Sequence, residues 1–280
     1  MIFSKNNYLI IGYQTASLKN LVFFLKIKKK KIKFLNFKHF KKPEIEKKSL
    51  LKKSKLLDKI KRLLKKFEII LGTSEKKLEI NLANFFYKNK ITYNFYIDSN
   101  INLKKRFVGL NNFPKNILCI NKLTIDKMKY LTRHVNSKIN FFDLRMPYQN
   151  FLKKKFSKLV RKDINLLYLS SNKGIRIEEK IIKMVCTNFT RHNKIFIKIH
   201  PRENINDWKK KIFKDQRIKL IKNIDFYNDL NISKVFGIGT MGIVNYKFAG
   251  FEAKHLKSKY SNKSFLEFFK KYNIKCYDNI

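Results

Sequence analysis

Short apolar runs alternate with longer amphipathic stretches along nearly the whole chain. Tyr8–Gly12 (YLIIG), Lys31–Phe37, Glu68–Gly72 (EIILG), Thr92–Asp98, Asn116–Ile120 (NILCI) and Lys138–Asp143 read as strands. They are five to seven residues long, bounded by polar or glycine-containing loops, and rich in branched and aromatic side chains. Helical periodicity fills the intervals at Ala16–Ile27, Pro43–Lys66, Glu75–Asn89 and Thr124–Thr132. Strands separated by helices imply parallel pairing through right-handed crossovers.

The pattern then restarts. Phe151–Asp163 is so basic that it reads as a linker or surface helix, and after it Ile164–Ser171 is a strand. Arg176–Phe189 carries Ile177, Ile181, Ile182 and Val185 on one helical side. Lys194–His200 is a strand, Ile205–Phe213 a helix, Ile218–Ile221 a strand and Asp225–Ser233 a short helix. Lys234–Gly239 is the last predicted strand, and Met241–Gly250 a helix closed by glycine. The expected fold class is α/β, with two Rossmann-like domains whose parallel sheets face a central cleft. The boundary falls within 145–164, giving domains 1–150 and 151–280.

Composition changes this picture less than it first suggests. The formal net charge of +45 comes from 65 Lys and Arg against 20 Asp and Glu. Of the 65, 56 are Lys, while Ala and Pro number four each against 30 Asn. That bias matches AT-rich codons, so part of the lysine excess follows base composition. A charge this large still attracts anions, including nucleotides and acidic lipid surfaces. No nucleic-acid-binding module is recognisable, so no specific nucleic-acid partner is expected. Three scattered cysteines without metal-like spacing fit a reducing cytoplasm. No run approaches the roughly 20 apolar residues that span a bilayer. The lysine-rich helix over 43–67, with Leu50, Leu57 and Leu64 at heptad spacing, has two readings. It packs its leucines on the sheet, or it lies on an anionic membrane at the inner face.

Candidate chemistry gathers where strands end, because ligands of open α/β sheets sit at carboxyl strand edges. Proline stops a ladder, so Lys194–His200 must end at His200-Pro201-Arg202-Glu203. His200 can donate a proton or hydrogen bond to a phosphate, and Arg202 can pair with the same group or with Glu203 or Glu178. Gly237, Gly239, Thr240, Met241 and Gly242 hold three of the chain's eight glycines in one strand-to-helix loop. Such a loop lets backbone approach an anion at a helix N-terminus. Gly12 and Thr15 follow the first strand without a GxGxxG fingerprint, and Gly72, Thr73 and Ser74 follow the third. The Gly12 and Gly72 loops also read as helix caps, through Ser17 and through Thr73 or Ser74. Asp98 ends the fourth strand as a candidate base or a turn residue, and Lys104 and Arg106 beside it are site cations or solvated charges.

The ordered stretches ILGTS, FYIDSNINLKKRF, NILCINK, IFIKIHPRE and VFGIGTMGIVNYKFAG resemble bacterial surface-polysaccharide glycosyltransferase-like proteins of the GT-B fold. These look related to the bacterial sialyltransferase and polysialyltransferase groups, which carry a His-Pro pair. The resemblance implies a nucleotide-sugar donor, CMP- or UDP-linked, and without a DxD-like pair or carboxylate cluster no metal or other cofactor is required. It implies a glycan or lipid-linked acceptor, an acceptor side in the first domain and a donor side in the second. It gives His200 the donor phosphate, Pro201 the shape of its turn, the Gly239–Gly242 loop the same phosphate, and Asp98 the acceptor. Asn245-Tyr246 stand where GT-B enzymes often place a ribose-binding glutamate. A nucleotide-sugar 2-epimerase of the same fold is the alternative enzyme. A non-catalytic binder of RNA or anionic surfaces is the alternative of another class.

Overall fold

The computed structural model describes residues 5–12, 18–36, 66–73, 77–99, 101–156, 165–171, 174–191, 194–200, 203–210, 215–221, 231–256 and 263–277. The expected 43–67 helix therefore lies almost wholly outside the described residues, as do Thr15, Ser74, Pro201 and Arg202. The chain divides into two compact units, 1–148 and 149–280.

In the first unit, β1 (Asn7–Gly12), β2 (Lys31–Asn36), β3 (Glu68–Gly72), β4 (Asn94–Ile97), β5 (Asn116–Cys119) and β6 (Asn140–Asp143) form one sheet. Its order is β2-β1-β3-β4-β5-β6 and every pairing is parallel. The helices are α1 (Lys19–Ile27), α2 (Lys77–Lys88), α3 (Leu103–Arg106) and α4 (Lys122–Leu131). Strand alternation sorts the core into two layers. Leu9, Ile11, Leu71, Phe95, Ile97 and Ile117 meet Ala83 and Phe86 of α2 and Met128 of α4. Tyr8, Ile10, Ile70, Tyr96 and Leu118 meet Leu21 and Leu25 of α1. Both faces are covered, which is why the strands read as continuous apolar runs.

The amino edge of this sheet carries a side-chain ladder through the first residues of four strands. Asn94 Nδ2 donates to Glu68 Oε1 at 2.7 Å. Asn116 Nδ2 donates to Asn94 Oδ1 at 3.0 Å, and Asn140 Nδ2 to Asn116 Oδ1 at 3.1 Å. A one-residue slip would break every rung, so the ladder reinforces register.

Helix α5 (Pro147–Phe156) begins at the boundary between the units. Over 151–156 it agrees with the surface-helix reading, its lysines exposed while Tyr148, Leu152 and Phe156, four residues apart, are buried; 157–163 lie outside the described residues.

The second unit holds β7 (Asn165–Leu169), β8 (Lys194–Lys198), β9 (Ile218–Ile221), β10 (Ile232–Gly237), β11 (Glu252–Leu256) and β12 (Lys275–Tyr277). Its helices are α6 (Ile175–Asn188), α7 (Ile205–Lys209), α8 (Met241–Phe248) and α9 (Lys263–Lys271). The sheet is parallel, ordered β12-β11-β10-β7-β8-β9. Chain order runs outward from β7 on both sides, the doubly wound order with a topological switch point between β7 and β10. Ile181, Ile182 and Val185 of α6 bury against Leu166, Tyr168, Ile195 and Ile197. Two expectations change here. Ile232 and Ser233 belong to β10 rather than to a helix, because Ile232 pairs with Asn165 across the sheet. The lysine-rich tail beyond Gly250 supplies β11, α9 and β12, with Phe268 and Phe269 of α9 buried.

Helix ends explain much of the local geometry. Gly250 (φ +85°) donates to Lys247 O at 3.1 Å, and Phe251 N to Tyr246 O at 3.0 Å. The Tyr246 and Phe251 rings meet at 5.0 Å, completing a Schellman cap. Among the described residues, no helix is long and apolar enough to cross a membrane.

Candidate functional site

The topological switch point of the second sheet lies between β7 and β10, and the two loops leaving their carboxyl ends define the site. Leu169 is in register with Gly237 on one side and with Lys198 on the other. Ser170 and Ser171, the Gly237–Gly242 loop and His200 therefore share one sheet edge. The glycine loop and His200 sit on strands two spacings apart, about 10 Å.

The glycines answer to different demands. A Cβ on Gly237 would come within 2.9 Å of the Leu169 carbonyl oxygen, so β7 and β10 approach too closely for any side chain. Gly239 has φ +56°, the left-handed region. A Cβ on Gly242 would meet Leu169 Cδ1 at 3.0 Å. Thr240 caps α8, its Oγ1 accepting from Gly242 N at 3.3 Å, and Met241 begins the helix. The N-terminus of α8 thus faces the sheet edge with the partial positive charge that favours anions.

Behind the loop stands a histidine that sequence reasoning missed. His255 of β11 is fully buried, and its Nδ1 accepts from Gly239 N at 3.4 Å. The Phe269 ring lies 4.9 Å from its own. Burial lowers its pKa below the ordinary imidazole value, partly offset by a hydrogen bond with the Gly237 backbone. The signal for it was its place in the apolar alternation of residues 252–256.

Acidic residues hold the other loops. Glu178, in the first turn of α6, is fully buried. Its carboxylate accepts from Ser171 N and Ser171 Oγ, both at 2.8 Å, and from Tyr168 Oη. Burial, reinforced by this carboxylate, pushes the Tyr168 phenol well up. Glu203 accepts from Ser170 Oγ and from His200 N at 3.2 Å.

In the first unit the switch point lies between β1 and β3. Gly12 and Gly72 end these strands side by side: a Cβ on Gly12 would lie 3.8 Å from Gly72 Cα, and Leu18 crowds both positions. Thr73 Oγ1 donates to Tyr96 O at 3.1 Å, so its hydroxyl ties β3 to β4. Asp98 is paired with Arg106 at 2.5 Å. Arg106 also donates to Ser99 Oγ at 2.8 Å and to Thr73 O at 3.3 Å. The reading of Arg106 as a solvated charge is overturned: it is 8 % exposed, because α3 turns it inward against the strand ends. Any base chemistry at Asp98 would take place with that guanidinium attached. Among the described residues, no group of three or more His, Cys, Asp or Glu is placed to hold a metal ion.

No protein-family model matches the chain, and no curated protein sequence matches it. Solved structures do. The kitacinnamycin glycosyltransferase superposes with a TM-score of 0.52 at 9% identity, over 98% of this chain and 86% of that one. The UDP-GlcNAc 2-epimerase of Neisseria meningitidis, solved with UDP-GlcNAc bound, gives 0.53 at 10% identity, over 95% and 90%. MurG of Acinetobacter baumannii gives 0.50 at 9% identity, over 97% and 86%. At such identities the likeness is one of fold, and the fold of this chain is the α/β architecture of GT-B proteins, two parallel Rossmann-like sheets in sequence.

Proposed function

We propose that the protein transfers a sugar from a nucleotide-activated donor, with the donor bound at the carboxyl edge of the second sheet. The observation that carries this reading is the convergence of His200 and the Gly237–Gly242 loop on strands flanking β7, at the switch point of a parallel sheet. Backbone near Gly239 and the α8 N-terminus would receive the donor phosphate. His200 would donate a hydrogen bond or proton to the departing phosphate, and Arg202 would add charge. Leaving-group stabilisation of this kind needs no metal. The first unit would serve the acceptor, a glycan or lipid-linked glycan of surface polysaccharide or lipopolysaccharide assembly. Its Gly12 and Gly72 edge would line that side, with Asp98 and Arg106 as a fixed ion pair. A CMP-linked donor would follow from the sialyltransferase resemblance, a UDP-linked one from the epimerase likeness.

Titration of the protein with CMP, CDP, UDP and GDP at moderate salt, with wild type beside His200→Ala, tests the reading. Selective binding of one nucleotide, weakened by the substitution, is expected. Equal weak binding of all four, unchanged in the variant and erased by salt, would leave only a basic surface. The second reading, a UDP-GlcNAc 2-epimerase-like enzyme, rests on the fold shared with the meningococcal protein. It predicts conversion of a UDP-sugar without any acceptor, which a transferase does not catalyse.

A further inference from the structure

His200 and Glu203 are joined to each other, and to the end of the neighbouring strand, through one carboxylate. Glu203 N donates to His200 O at 2.9 Å. In return, His200 N donates to Glu203 Oε2 at 3.2 Å. The same Oε2 accepts from Ser170 Oγ, at the end of β7. The indole of Trp208, 1 % exposed on α7, also hydrogen-bonds this carboxylate. Glu203 thus ties together the end of β7, the end of β8 and α7.

This arrangement is costly for a side chain that only had to fill space. Burial raises the Glu203 carboxyl above its ordinary value, and the nearby Glu178 carboxylate adds to the rise. The three donors oppose that rise by favouring the ionised form. An apolar residue here would have avoided the desolvation cost altogether. What the carboxylate adds is a fixed backbone geometry at His200, directly beside the switch point.

We propose that Glu203 is a positioning residue: it latches the His200 backbone to the end of β7, so that the histidine is held ready for the donor phosphate. This rests on the donor-site reading above, and the two are separable by experiment. A residue that acts only through His200 must lose its effect once His200 is gone.

The test uses full-length wild type, Glu203→Ala, Glu203→Gln, His200→Ala and the Ala/Ala double variant. Hydrogen–deuterium exchange of the peptide spanning His200 reads the latch without any ligand. Glu203→Ala is expected to raise exchange there by about tenfold with β10 unchanged. Glu203→Gln keeps an acceptor for the His200 amide and should restore most of the protection. Unchanged exchange in Glu203→Ala overturns the latch. Titration with UDP and CMP then reads its purpose. Glu203→Ala should weaken the bound nucleotide about tenfold, and the double variant should bind no more weakly than His200→Ala. Additive losses overturn the positioning role. If His200→Ala binds as well as wild type, the donor-site reading fails, and with it the latch's purpose, while the exchange data still decide whether the latch exists. Should Glu203→Ala fail to fold, Ser170→Ala removes one donor to the same carboxylate. It must raise exchange at His200 by a smaller factor, or the latch is refuted.

Discussion

Arg106 donates to Asp98 across 2.5 Å from a position only 8 % exposed, at the carboxyl edge of the first sheet. A guanidinium can hold the carboxylate, the Ser99 hydroxyl and the Thr73 carbonyl together because its donors form a rigid planar fork. Thr73 after β3 and Asp98 and Ser99 after β4 are therefore held by one side chain.

Removing that side chain strands Asp98 beside buried polar groups. Arg106→Ala is expected to cost about 3 kcal/mol in urea unfolding. Arg106→Lys should recover little of it, since an ammonium cannot reach three acceptors in that plane. A loss below about 1 kcal/mol for Arg106→Ala would show that the pair is no more than a surface bridge.

The chain is poor in glycine, and lysine occupies left-handed positions that glycine usually takes. Lys29 (φ +53°) and Lys90 (φ +52°) follow the ends of α1 and α2 and donate to Lys26 O and Tyr87 O. Lys29→Gly and Lys90→Gly should each stabilise the protein by about 0.5–1 kcal/mol, read as a raised melting temperature. A lower melting temperature would show that the lysine side chains contribute more than their backbone strain costs.

The three glycines of the site should not respond alike to alanine. Gly237→Ala drives a methyl into the Leu169 carbonyl and should cost about 3 kcal/mol. Gly239→Ala meets only a positive φ and a 3.4 Å contact with Phe265, for about 1 kcal/mol. Gly242→Ala meets the end of a flexible leucine and should cost least. Chemical denaturation of the three variants checks the order, and a Gly242→Ala loss as large as that of Gly237→Ala would contradict this geometry.

His255 makes the glycine loop sensitive to acid. Its folded pKa is lowered, so the unfolded chain takes up the proton first as pH falls from about 6.5. Its contribution to stability is complete above that pH and is lost as pH drops through the lower folded value. Protonating Nδ1 also removes the acceptor of Gly239 N. Urea midpoints at pH 7.5 and 5 should differ more in wild type than in His255→Gln. Equal differences would show that the buried ring does not titrate in this window.

The alternation of apolar runs with helical stretches was enough to read most strands and the α/β class. Tyr8–Gly12, Glu68–Gly72 and Asn116–Ile120 are each too apolar and too short for anything but a doubly covered strand. The tail beyond Gly250 was not legible, because in Glu252–Leu256 the charged and apolar residues alternate over only five positions. The site was legible only as separate strand ends. His200 announced itself through Pro201, which stops a ladder, and the glycine loop through its rarity. Arg106 and Glu178 gave no comparable signal, because a charged residue in sequence carries no mark of being buried, and His255 gave only its place in a five-residue alternation.

By itself the sequence determined where most of the strands and helices before Gly250 form, since period and turn chemistry act over neighbouring residues. It also determined which residues end the strands, since proline and glycine constrain their own backbone. Only the tertiary structure decided the strand order, and with it that β10, β7 and β8 are neighbours and that His200 shares an edge with Gly237. Pairing between strands is a long-range contact, settled by crossover handedness and by which apolar faces can be covered together. The same contacts decided which charges are buried, for Arg106 and Glu178 are held inside by partners that lie elsewhere in the chain.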